Sequence, residues 1–135
     1  MSYYFSTTLR VPFDQAIADV TAALAVRGFG VLTDIDVQAT MKRKLGTDMP
    51  PYRILGACNP KMAFTALQAE DKIGTMLPCN VVVRDAGDGA VEVAAVDPVA
   101  SMQAIANPAL GEVAQQVREM LRQVIADLSG QNAVG

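Results

Sequence analysis

The stretch that most constrains this chain is a hairpin. Gly87-Asp88-Gly89 supplies the positive-φ positions that a tight turn wants, inside a turn expected from Asp85 to Gly89. On one side lies a Val-rich strand expected over residues 77–84, with Pro78 near its start. On the other lies a strand over residues 90–96. Two strands joined this tightly can only pair antiparallel, so the sheet is mixed or antiparallel and not a parallel α/β layer.

The flanking segments read as alternating strands and helices. Residues 2–9 alternate Tyr3, Phe5, Thr7 and Leu9 against Tyr4, Ser6 and Thr8, a strand with one larger, mostly apolar face. Pro12 then opens a helix whose stripe is Phe13, Ile17, Val20 and Leu24, and Gly28 ends it with a left-handed cap before Phe29. Residues 30–35 form a second strand. Asp36 caps a short helix over residues 37–45, closed by Gly46. A third strand runs over residues 52–58. Asn59-Pro60 opens a helix to about Ala69, and Asn107-Pro108 opens the last one. That helix carries Leu110, Val113, Val117, Leu121, Val124 and Leu128 as its stripe and is expected to stop at Gly130. Two apolar helix stripes and an antiparallel sheet bury each other best with both helices on one face. The expected organisation is one α+β domain over residues 1–130, with a frayed tail at 131–135.

Three motifs occur in order: Gly56-Ala57-Cys58-Asn59-Pro60, Leu77-Pro78-Cys79-Asn80-Val81-Val82-Val83 and Val96-Asp97-Pro98. Together they resemble the domain of unknown function 302 family (DUF302), over about Tyr3 to Leu128. The resemblance implies a βαββββα core, a twisted antiparallel sheet under two helices with short helices inserted between strands. It also implies a homodimer. It implies no reaction, because the family has none established, and some relatives carry glycine at the position of Cys58.

Composition narrows the function classes. The chain has 135 residues, 51% hydrophobic and 19% charged, enough to build a core without disulfides or a structural metal. No basic region precedes an apolar stretch at the start and no run reaches the roughly 18 residues of a membrane span, so a cytoplasmic protein with reduced cysteines is expected. The net charge of −3 argues against nucleic acid as a partner. Residues 37–69 nevertheless hold Lys42, Arg43, Lys44, Arg53 and Lys61 against Asp48 alone, a local +4 on a chain that is otherwise −7. Such a segment can attract a small anion, or can simply be the solvated face of a helix.

The absence of histidine removes the usual Ser-His-Asp and Cys-His sites and most zinc sites. No glycine-rich phosphate loop follows a strand, and the carboxylate pairs Asp34/Asp36 and Glu70/Asp71 read as a helix cap and a solvated helix end. The cysteines remain. Cys58 precedes the Asn59 cap, where unpaired amides and Lys61 create positive potential that favours a thiolate or an anion. If the third and fourth strands are antiparallel neighbours, Cys58 and Cys79 share one end of the sheet. Cys79 alternates in phase with Leu77, Val81 and Val83, as a core side chain would. Met62 and Met76 lie near the cysteines in sequence, and thiolate with thioether suits a soft ion such as Cu(I). Methionine also fills gaps in cores, and no metal or cofactor is assigned.

The leading expectation is a non-catalytic domain that binds a small ligand, an anion among the options. The site would comprise Gly56, Cys58, Asn59, Lys61, Cys79 and Asn80. A thiol-based redox or sulfur-handling protein using Cys58 and Cys79 is the alternative, and a structural or partner-binding homodimer the third.

Overall fold

The structure, a computed structural model, describes residues 2–134, with side chains through Gly130. Five strands form one antiparallel sheet: β1 (Tyr4–Leu9), β2 (Gly30–Asp36), β3 (Tyr52–Cys58), β4 (Cys79–Gly87) and β5 (Ala90–Val96). Their spatial order is β1-β5-β4-β3-β2. Each pair is antiparallel, with Phe5 opposite Ala95, Val83 opposite Val93, Leu55 opposite Val81 and Ile35 opposite Ile54. The hairpin turn is as expected: Gly87, Asp88 and Gly89 all adopt positive φ.

Period-two alternation gives the sheet two unlike faces. Leu9, Leu55, Val81, Val83, Val91, Val93 and Ala95 point to one side and are buried. That side is covered by α1 (Phe13–Val26) and α5 (Pro108–Val134), which contact β1, β4 and β5. The α+β architecture with two longer helices on one face therefore stands. From α5, Val117, Leu121, Val124 and Leu128 are buried as expected, while Val113 is only partly so. In α1 the buried line is Ala16, Val20, Ala23 and Leu24, with Phe13 and Ile17 at its flank. The two alanines occupy the centre because a small side chain lets the helix axis approach the sheet, which a stripe drawn through large residues misses.

Local signals act where they were expected. The Gly28 amide donates to the Ala25 carbonyl and the Phe29 amide to the Leu24 carbonyl, with Gly28 at φ 87°, a Schellman end to α1. Asp36 caps α2 (Val37–Leu45) by accepting from the Ala39 amide at 2.9 Å, and Gly46 closes it in the left-handed region. Four features differ. Between α3 (Pro60–Ala69) and β4 the chain forms a 3-10 turn, Ile73–Met76, and the Leu77–Pro78 bond is cis. β4 starts at Cys79 and runs to Gly87. Asp97 accepts from the Val99 amide and caps a further short helix, α4 (Pro98–Ser101). α5 continues through Gly130 to Val134, since that glycine meets nothing and carries no positive φ. Of the expected tail, residue 135 and the side chains of residues 131–134 lie outside the described structure.

A second, smaller core sits beyond one end of the sheet. Ala66 of α3, Ile73 of the 3-10 turn, Met102 after α4, and Leu110 and Ala114 of α5 pack together. Between this satellite core and the main one the packing leaves a cleft, lined by residues of both.

Candidate functional site

At the end where β3 leaves the sheet and β4 enters it, the two cysteine-bearing strands are neighbours. Ala57 lies opposite Cys79, so Cys58 is one residue beyond that pair. Both cysteines are free thiols, Cys79 buried and Cys58 half-buried. They line one cleft of about 280 Å³. Phe29 and Ala57 belong to its sheet side, and Met62, Ala63, Ala66 and Leu67 of α3 form one wall. Gly74, Leu77 and Pro78 come from the segment leading into β4. Pro98 belongs to α4 and Met102 comes directly after it, while Val113, Ala114 and Val117 belong to α5. Leu32 completes the rim. It lies where the β2–β3 register shifts between Val31 and Thr33, and a bulge of this kind re-aims one side chain.

No charged side chain lines this cleft; its one side-chain amide is Asn59. Its oxygen is committed: Asn59 Oδ1 accepts from the Met62 amide at 3.2 Å, which caps α3, while a Cβ added at Gly28 would come within 3.0 Å of Nδ2. Pro60 has no amide hydrogen. The first turn of α3 thus keeps one backbone donor for an incoming group, that of Lys61. Burial, with the Cys58 thiol as second contribution, pushes the Cys79 thiol up to about 11. At neutral pH Cys79 is a neutral, poorly nucleophilic thiol.

The structure thus brings Cys58, Asn59 and Cys79 together. Gly56 stands two residues before Cys58 on β3, where a Cβ would collide with the Thr33 hydroxyl and lie 2.6 Å from the Pro78 ring. Its role is close packing of Pro78 over the sheet. Lys61 is exposed outside the cleft lining, because the second residue of α3 turns away from the wall that Met62, Ala63 and Ala66 form. Asn80 alternates to the opposite sheet face, where it borders a shallow groove with Tyr4, Tyr52, Val82, Arg84 and Glu92. Met76 is 42% exposed and does not line the cleft, whereas Met102 does. Met102 lies in a segment with no periodicity, so no sequence signal marked it. Leu32 was hidden by a bulge that strand alternation does not reveal.

Among the described residues, no group of three His, Cys, Asp or Glu side chains could hold a metal, and no helix is long and apolar enough to cross a membrane.

Fold and cleft define a class: an α+β chain with one antiparallel sheet, two helices on one face and a small apolar cleft at the sheet end. The chain belongs to the DUF302 family, a domain of unknown function, whose model matches residues 5–128. It is similar to the crystal structure of an uncharacterized conserved DUF302 protein from Bacillus stearothermophilus. The TM-score is 0.85 at 26% identity, with 93% of this chain and 98% of that one covered. Among curated proteins, none matches the chain.

Proposed function

We propose that this chain is a non-catalytic small-ligand-binding domain whose ligand enters the cleft between β3, α3 and α5. The observation that carries this is the cleft itself. It is small, at the lower end of the roughly 300–1,000 Å³ usual for ligand sites. It is walled almost entirely by carbon and sulfur. This lining favours a compact, uncharged occupant over an anion, because a buried charge here would meet no charged side chain, only the Asn59 amide and one free backbone donor. A reducing, cytoplasmic setting accords with two unpaired cysteines.

Straight-chain alkanols from butanol to octanol test this by thermal shift and by chemical-shift titration. Binding should tighten about fourfold per added methylene, the equivalent of about 0.8 kcal/mol, until the cleft is full. Ala66→Trp should remove the response by filling the space. Stabilisation by phosphate or sulfate without any alkanol response would restore the anion reading, and no response to either would sink both.

A second reading is supported by a separate observation. No long helix covers the opposite sheet face, where Tyr4, Tyr52, Val82, Ala94 and Val96 border the shallow groove and Tyr3 at its edge is 69% exposed. Pairing of two such faces would make a homodimer. Light scattering should then give twice the chain mass, and Val82→Glu should halve it. A monomeric mass at high concentration counts against it.

A further inference from the structure

We propose that the cleft is a site for a soft monovalent metal ion of the Cu(I) type, held by the sulfur atoms of Cys58, Cys79, Met62 and Met102. This deepens the reading of the cleft as a ligand site and rests on it. Four sulfur-bearing side chains line a single space of about 280 Å³. They come from four separate places in the chain: the end of β3, the first turn of α3, the start of β4 and the residue after α4. The chain has seven methionines and two cysteines, so both cysteines and two of the methionines converge on this one cleft.

Donor type decides which ion fits. Thiolate and thioether ligands select soft d¹⁰ ions, whereas calcium and magnesium need oxygen donors and zinc usually takes several thiolates or imidazoles. No carboxylate lines the cleft and the chain has no histidine. Charge decides the stoichiometry. An apolar wall penalises any net charge, so the favoured complex is neutral: one thiolate with one Cu(I), completed by uncharged sulfur. Cys58 sits half-exposed at the end of β3 and supplies the thiolate. Its S–H bond breaks, an S–Cu bond forms, and the proton passes to the buffer. No electron is transferred. Met62 and Met102 supply neutral thioethers. Cys79 lines the same space beside them.

The test is anaerobic titration of the reduced full chain with Cu(I), using bicinchoninate as the competing chromophoric ligand. One ion should bind per chain, releasing about one proton. Met62→Leu and Met102→Leu keep the side-chain volume close and should each weaken Cu(I) binding about tenfold or more, with unchanged thermal stability. Met76→Leu lies outside the cleft and should change nothing. Cys58→Ser should abolish binding. If that variant fails to fold, the two leucine variants still decide. Cu(I) binding indifferent to both leucine substitutions, or a stoichiometry other than one, overturns the proposal. Butanol-to-octanol binding without Cu(I) binding overturns the metal alone; loss of both overturns the cleft reading as well.

Discussion

Cys79 is 7% exposed, paired with Ala57 across the β3–β4 ladder and lining the cleft with Cys58. An unfolded cysteine ionises near 9, while burial raises this one to about 11. Between these values the unfolded chain loses its thiol proton and the folded chain keeps it. The native state then binds more protons, so stability falls as pH rises. The contribution is fully present below about pH 9 and is lost through about pH 11, amounting to roughly 2–3 kcal/mol by linkage. Urea denaturation of the protein and of Cys79→Ala should show curves that converge across that window. Parallel curves would mean that the thiol is hydrated in the native state. Alternation with Val81 and Val83 made the burial of Cys79 legible, whereas its nearness to Cys58 required strand order.

The short elements set the walls of the cleft, and their signals differ in reach. Asn59 caps α3 and Asp36 caps α2 by equivalent side-chain bonds to backbone amides. Replacing either by alanine should cost about 1 kcal/mol in chemical denaturation. The consequences should differ, because α3 is a wall of the cleft and α2 is not. Asn59→Ala should therefore also weaken octanol binding, and Asp36→Ala should leave it unchanged. Equal effects on binding would mean that the octanol sits elsewhere. Caps, the Gly28 and Gly46 ends and the hairpin turn were legible because each is a contact between residues a few positions apart. The bulge at Leu32 and the Ala16–Ala23 line of α1 were not. The first depends on β3 as partner, and the second on how closely a helix approaches the sheet.

Across the molecule, the two helix stripes bind the sheet into one core, and Leu121 is fully buried at its centre. Leu121→Asp should lower stability by more than about 3 kcal/mol and leave little cooperative unfolding, since the carboxylate would have no partner there. Val26→Lys, at a position 76% exposed in the last turn of α1, should stay within about 0.5 kcal/mol. Circular dichroism melts distinguish the two. A tolerated Leu121→Asp would mean that α5 does not carry the core.

Sequence alone determined the order of the five strands and the longer helices, the antiparallel hairpin, both helix stripes in outline and the place of Cys58 beside the Asn59 cap. Those features rest on hydrogen bonds and periodicities that act within an element or across a single turn. Tertiary structure decided that Lys61 and Asn80 point away while Met102, Leu32 and α5 close around the thiols. It also decided the character of the space. A locally positive segment suggested an anion, yet the surface that meets at the sheet end is apolar and sulfur-rich. Its charges sit on faces that the packing turns to solvent, and no single strand or helix records which of its neighbours will complete a cavity.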